Sequence, residues 1–311
     1  MHISITGRLG SGKSTIANIL KEKHGFPIYS TGAIQREIAR RHRVSTLEMN
    51  KQMARDLSFD HEIDDTVAKI SVDRENETII FDSRMAWRFA ANSFKVFVSV
   101  DPFVAAARVL GNQRGEVEVY TGLEDAKSKL IERSRLENER FIEIYGVDYF
   151  DYSNYNLVID STFETSDKLA SVIFGKFLEY CESGAGMHEI IMSPASLYPL
   201  ESAKIIDPEK RESYMDVEKA QNLCSCPSAA VFEGYHYIID GHHQVLAAIK
   251  NGEALINVEP VDTERHPFYK SSQNLISAIQ AAGMSAVHDF EEAGNFRYKS
   301  YPGYYSQAAC D

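Results

Sequence analysis

Short apolar runs alternate along the first 180 residues with longer stretches of helical spacing. Ile3-Ser4-Ile5-Thr6 opens the chain as a short buried strand. Ile16, Ile19 and Leu20 then recur at helical spacing, which predicts a helix over 14–23 that His24-Gly25 stops. Phe26, Ile28 and Tyr29 predict a second strand, and 31–42, 45–57 and 60–72 read as helical. The runs 78–81 and 95–100 are continuously apolar, the sign of parallel strands buried on both faces. Thr121-Gly122-Leu123-Glu124 has the form of a capping box opening a helix that runs to Tyr145. A strand over 157–159 and a helix over 166–180 close this half. Strands alternating with helices predict an α/β fold with a mostly parallel sheet flanked by helices.

Glu182-Ser183-Gly184-Ala185-Gly186 reads as a small, flexible junction. The chain has 311 residues, which suits two domains, placed at 1–182 and 187–311. The second half is patterned as a smaller α+β unit. A strand is expected at 190–192, a charged helix at 208–223, and a hairpin or strand pair over 229–239. A helix at 245–250, opened by Asp240-Gly241-His242-His243-Gln244, and a strand at 255–258 follow. The aromatic tail beyond Met284 has no assigned element.

Charge separates the halves. Residues 1–180 carry 24 basic and 27 acidic side chains, whereas 181–311 carry 9 and 18. The acidic second half disfavours DNA as a partner, because a phosphate backbone demands basic surface. The arginines of the first half suit a pocket for a small anion. Cys181, Cys224, Cys226 and Cys310 are too few and scattered for a disulfide framework. No run reaches the ~18 apolar residues of a membrane helix, and the amino terminus lacks a basic start and apolar segment. A cytoplasmic location and no membrane partner are the expectation. Cys224-Ser225-Cys226 with His242 and His243 is a weak zinc candidate, lacking a second properly spaced pair.

The strongest chemical signal is Gly7-Arg8-Leu9-Gly10-Ser11-Gly12-Lys13-Ser14-Thr15, between a predicted strand and a predicted helix. Glycines at 7, 10 and 12 let backbone N–H groups curl around phosphate oxygens, and the helix start adds partial positive charge. Lys13 can bridge the β- and γ-phosphates of a nucleoside triphosphate, and Ser14 can hold Mg²⁺. Further positions suggest a second phosphate-bearing molecule. Thr31, Gly32 and Arg36 place a hydroxyl, a close-approach glycine and a guanidinium together. Asp82 and Arg84 follow a buried strand, where ligands of open α/β sheets bind. Asp82 there can position Mg²⁺ or cap the next helix, and Arg84 can grip the acceptor. Arg133, Glu137 and Arg140 share a helix face, so one carboxylate could steady two arginines over a transferring phosphoryl group. Arg114-Gly115 is a candidate lid tip.

Residues 1 to about 180 resemble the cytidylate kinase-like nucleoside monophosphate kinases, most closely the archaeal type. The resemblance is carried by 7–15, Ser30-Thr31-Gly32-Ala33-Ile34-Gln35-Arg36-Glu37 and Asp82-Ser83-Arg84-Met85-Ala86-Trp87. Arg133-x-x-x-Glu137-x-x-Arg140-Phe141, Tyr145-Gly146-Val147-Asp148 and Tyr155-Asn156-Leu157-Val158-Ile159 continue it in order. Gln35, the pair Asp82-Ser83 and the spacing of 108–114 depart from the family pattern. The resemblance implies a phosphate-loop kinase with ATP and Mg²⁺ as donor and a nucleoside monophosphate, typically CMP, as acceptor. Arg36 and Arg84 would hold the acceptor phosphate, and Arg133 and Arg140 the transferred group.

The segment 237–252, with Asp240, Gly241, His242 and His243, resembles the signature of the ParB/sulfiredoxin-like fold. Leu197-Tyr198-Pro199-Leu200-Glu201 resembles the glutamate-bearing segment of free-serine kinases of that fold. Gln244 stands where an arginine is usual. The resemblance implies Glu201, Asp240, His242 and His243 as second-domain site candidates, the histidines donating to phosphate or moving protons near neutral pH. Another small hydroxyl acceptor, such as free serine or a modified nucleoside, is the alternative substrate. A nucleotide-gated binding module without turnover is the alternative function.

Overall fold

The computed structural model describes residues 1–32, 34, 40–41, 58–111, 120–183, 186–201, 226–261 and 272–298. Its described elements run β1 (His2–Gly7), α1 (Lys13–His24), β2 (Ile28–Ser30), α2 (Ser58–Asp73), β3 (Ile80–Asp82), α3 (Ala86–Phe89), β4 (Ser93–Ser99), α4 (Pro102–Gly111), α5 (Leu123–Tyr145), β5 (Leu157–Asp160) and α6 (Ser166–Ser183). There follow β6 (Glu189–Met192), β7 (Leu197–Pro199), β8 (Ser228–Phe232), β9 (Tyr235–Asp240), α7 (His242–Lys250), β10 (Ile256–Asn257), β11 (Glu259–Pro260) and α8 (Ser272–Gly294). Two compact units emerge. The first comprises Met1–Ser99, Ser134–Ser161 and Thr165–His188, and the second Val100–Arg133, Thr162–Glu164 and Glu189–Asp311. No helix among the described residues is long and apolar enough to cross a membrane.

In the first unit the strands lie in the order β5-β4-β1-β3-β2, each pair parallel. All six residues of β1 are buried. Ile3, Ile5, Phe81, Phe94, Val96, Phe97 and Val98 are wholly excluded from solvent, the result expected when helices cover both faces of a sheet. The register pairs Ile5 with Asp82 and Gly7 with Val98, so β1 and β3 end near one another at their carboxyl ends. Gly7 is required there by contact. A Cβ on it would stand 2.4 Å from the Val98 carbonyl oxygen. The buried His2 ring spans two elements, with Nε2 2.8 Å from the Ser71 carbonyl and Nδ1 accepting the Ile79 N–H at 3.3 Å.

Element boundaries shift for identifiable reasons. β3 covers 80–82 rather than 78–81, because its ladder starts from the Ile79 carbonyl, which accepts the Ile3 N–H at 2.8 Å. The expected capping box at Thr121 and Glu124 is displaced by one residue. α5 begins at Leu123, and Asp125 Oδ2 accepts the Thr121 N–H at 2.8 Å while Glu124 pairs with Lys127. Glu182 and Ser183, expected in the junction, belong to the last turn of α6. The helix expected at 45–57, the charged helix at 208–223 and the lid tip at Arg114-Gly115 lie outside the described residues.

The second unit contains a four-stranded sheet ordered β11-β8-β9-β7, and β10 pairs antiparallel with β6. β8 and β9 form the expected hairpin, closed by Glu233 and Gly234 at φ 50° and 89°. Those are the left-handed conformations a two-residue hairpin turn needs. The aromatic tail is partly accounted for: α8 reaches Gly294, and the buried Tyr298 donates its hydroxyl to the Leu197 carbonyl at 2.8 Å.

The close approach at Gly7 sets the first expected outcome. Gly7→Ala forces β1 and β4 apart and should cost on the order of 2 kcal/mol, read from the urea unfolding midpoint.

Candidate functional site

The turn between β1 and α1 carries the chemistry. Gly12 caps α1 at φ 80°, a left-handed conformation that a side chain would resist. The loop is closed by Ser11 N–H on the Arg8 carbonyl at 3.2 Å, and by Arg8 N–H on the Val98 carbonyl at 3.1 Å. No acidic residue occupies the first turn of α1, so its end keeps a positive field. Lys13 and Ser14 are half-buried in that turn, and Thr15 is exposed.

Asp82, at the end of β3, meets this turn. Its Oδ2 accepts the Ser14 hydroxyl at 2.6 Å, and its Oδ1 lies 3.9 Å from Lys13 Nζ. Oδ1 is buried and takes no hydrogen bond. Asp82 does not cap the next helix: α3 starts after Met85 with no side-chain cap. A carboxylate oxygen left without a donor, beside a hydroxyl, is an oxygen-donor set suited to Mg²⁺. The Ser11 hydroxyl and the Thr31 hydroxyl are likewise buried without hydrogen bonds. Unsatisfied buried polar atoms cost free energy and concentrate where a ligand completes them.

Arg84 is fixed on both sides. Its Nη1 donates to the Gly7 carbonyl at 3.1 Å, and its Nε donates to Glu137 Oε2 on α5 at 3.0 Å. Burial works against the cation, but Glu137, Tyr149 and Asp82 together more than offset it and hold the guanidinium charged. Thr6 anchors the segment from below, its hydroxyl donating to the Ser83 carbonyl at 2.8 Å.

The expectation that Glu137 steadies Arg140 is therefore revised, while Glu137 and Arg133 each have further interactions of their own. The partners shown are Arg84 for Glu137 and Asp60, on α2, for Arg140. The reason is tertiary: α2 lies alongside the exposed flank that a helical wheel alone assigns to solvent. Arg133 lies on α5 and has interactions of its own. Arg36 lies outside the described residues. Gly32 is described, in the helical residues directly following β2.

Two carboxylates of α2 were not singled out by the sequence. Asp60 and Asp64, one turn apart, are both buried, and Asp64 accepts the Tyr145 hydroxyl. Burial raises Asp64 to about 6, against the opposing hydrogen bond from Tyr145. Aspartates on a helix among apolar Ile63 and Val67 were the available signal.

In the second unit Gly241, at φ 85°, caps α7. Asp240 is exposed, and its Oδ1 accepts the Gly241 N–H at 2.8 Å. His242 is buried, and its Nε2 accepts the Leu200 N–H at 3.2 Å. Burial lowers its pKa to about 4, so the ring is neutral at pH 7. Proton transfer by His242 near neutral pH is thus corrected, since desolvation suppresses the charged form. Glu201 adjoins that Leu200 contact and is exposed, whereas His243 is half-buried and has interactions of its own. Cys226 is exposed and free, and Cys224 lies outside the described residues. Among the described residues no group of three or more His, Cys, Asp or Glu is arranged to hold a metal.

A parallel sheet, a phosphate-binding turn at its carboxyl edge and a fixed arginine opposite define a phosphate-loop phosphotransferase. The family model for the cytidylate kinase-like family matches residues 2–163. The chain belongs to that family and is a phosphotransferase of the nucleoside monophosphate kinase type. Cytidylate kinase of Thermoplasma acidophilum is 27% identical over 183 residues, 58% of this chain and 93% of that protein. Cytidylate kinase of Methanosarcina mazei is 34% identical over 164 residues, 52% of this chain and 87% of that protein. A solved shikimate kinase from Bacteroides thetaiotaomicron aligns with a TM-score of 0.42 and 16% identity, covering 58% of this chain and 98% of that one.

The buried Asp64 carboxyl sets a pH dependence. Its folded pKa stands above the ordinary 3.8, so the native state holds this proton more tightly and loses stability as pH rises from about 4 through about 6. Asp64→Asn should remove that decline. The stability difference between wild type and variant should change by on the order of 2 kcal/mol between pH 4 and 7, read by urea unfolding.

Proposed function

We propose that this protein transfers the γ-phosphoryl group of ATP to a nucleoside monophosphate, with CMP as the acceptor. The observation that carries the reading is the junction of Ser14, Lys13 and Asp82, where a buried carboxylate oxygen takes no hydrogen bond beside the phosphate-binding turn. Family membership supports the phosphotransferase class, and the named cytidylate kinases support the acceptor.

Backbone N–H groups of Gly10, Ser11, Gly12, Lys13, Ser14 and Thr15 would cradle the donor phosphates, with Lys13 bridging β and γ. Ser14 and Asp82 would hold Mg²⁺, which supplies charge neutralisation between the phosphates. Thr31, Gly32, Arg36 and Arg84 would bind the acceptor, with Arg84 already fixed by Gly7 and Glu137. Arg133 and Arg140 would face the transferred group. An acceptor phosphate oxygen forms the new bond to γ-phosphorus as the bond to the β-bridging oxygen breaks, releasing a nucleoside diphosphate. The attacking oxygen is already anionic, so positioning and charge compensation carry the reaction without a strong base.

For the second unit we infer an accessory module of ParB/sulfiredoxin-like character. The strand β9, the left-handed Gly241 and the helix α7 support it.

Incubation with ATP, Mg²⁺ and a panel of nucleoside monophosphates plus free serine tests the reading. ADP release with CMP exceeding that with AMP, GMP or serine by at least about 10-fold is expected. Turnover with serine alone, or with no nucleotide, overturns it. Asp82→Asn should lower kcat about 100-fold while the fold persists by circular dichroism. Arg84→Ala should lower kcat/KM for the acceptor at least ~10-fold, in steady-state assays varying the acceptor.

A further inference from the structure

One cation of the phosphate-binding turn is not used by the reading above. Arg8, the second residue of the turn, lays its guanidinium over the Phe150 ring at 4.5 Å from the centroid. Its Nε is buried and takes no hydrogen bond. Among the described residues no carboxylate stands within ion-pair distance of it. Other cations of the proposed site have anionic partners: Lys13 approaches Asp82, Arg84 holds Glu137, and Arg140 holds Asp60.

The place of Arg8 is equally specific. Arg84 donates to the Gly7 carbonyl, the peptide group that carries the Arg8 nitrogen. Burial pushes the Tyr149 phenol up to about 12, and the charges of Arg84 and Arg8 both act against that rise, so both cations lie within electrostatic range of this phenol. Phe150 is half-buried and meets Phe97 of β4 edge-on, so the platform under Arg8 leans on the sheet core. Two guanidinium groups thus belong to the surroundings of the turn, and Glu137 is shown on Arg84. A partly desolvated cation with an unfilled donor is costly unless an anion completes it. A turn built to hold phosphates supplies such an anion.

We propose that Arg8 is a catalytic residue of this phosphotransferase, its guanidinium contacting the phosphoryl group in flight between donor and acceptor. The inference rests on the assignment of the turn to phosphoryl transfer, but not on the identity of the acceptor. Equatorial oxygens of that group carry the charge that a planar guanidinium can pair with two donors. The aromatic platform pre-aligns the side chain, so little orientational freedom is lost when the anion arrives.

The test is binding of ADP and Mg²⁺ to the full chain by calorimetry, with and without fluoroaluminate as the phosphoryl mimic. Wild type is expected to bind ADP more tightly with fluoroaluminate. Arg8→Ala should lose at least about 10-fold of that gain while affinity for ADP alone changes less than about 3-fold. Arg8→Lys should recover part of it, as a point charge without the fork. A full gain retained in Arg8→Ala overturns the proposal, as does the absence of any gain in wild type. If Arg8→Ala does not fold, Arg8→Gln and Arg8→Lys carry the same comparison. Failure of the CMP reading shows separately, as no turnover with CMP while the fluoroaluminate gain persists.

Discussion

Asp82 stands at the carboxyl end of β3 with one oxygen on the Ser14 hydroxyl at 2.6 Å and the other 3.9 Å from the Lys13 ammonium. A carboxylate with so little water around it is tolerable only when neighbours compensate its charge. Those neighbours come from the phosphate-binding turn, so the carboxylate and the turn hold each other in place. The register of β1 on β3 brings them together, and that register follows from strands packed wholly within the core. The same pairing that builds the fold therefore brings Asp82 to the turn, where the proposed function places the donor phosphates and a divalent cation.

Around that point the cations are distributed rather than pooled. Arg84 is locked between a backbone carbonyl and Glu137, and Arg140 is locked by Asp60. Each carboxylate lowers the cost of concentrating like charges and removes side-chain freedom that a ligand would otherwise have to freeze. A phosphotransferase acting on nucleotides needs this economy, because its substrates are anions that repel one another.

The second unit uses similar local parts to a different end. A strand, a left-handed glycine and a helix recur at β9, Gly241 and α7. Here the buried His242 ring is consumed in holding the Leu200 backbone. A neutral imidazole serves as a structural acceptor, and desolvation keeps it so.

Sequence alone determined the alternation of strands and helices, the phosphate-binding turn and the hairpin at 229–239. These are local: period, glycine placement and turn chemistry act within a dozen residues. Asp82 and Arg84 were legible too, since the end of a buried parallel strand is a position readable from the chain. The partners were not. That Glu137 serves Arg84, that Asp60 serves Arg140, that Asp125 rather than Glu124 caps α5, and that Phe150 carries Arg8 depend on which helix faces which strand. Such pairings join residues up to 142 positions apart, as Arg8 and Phe150 are, and no local period encodes them. Only the packed tertiary structure, where desolvation forces each buried charge to find a neighbour, decided them.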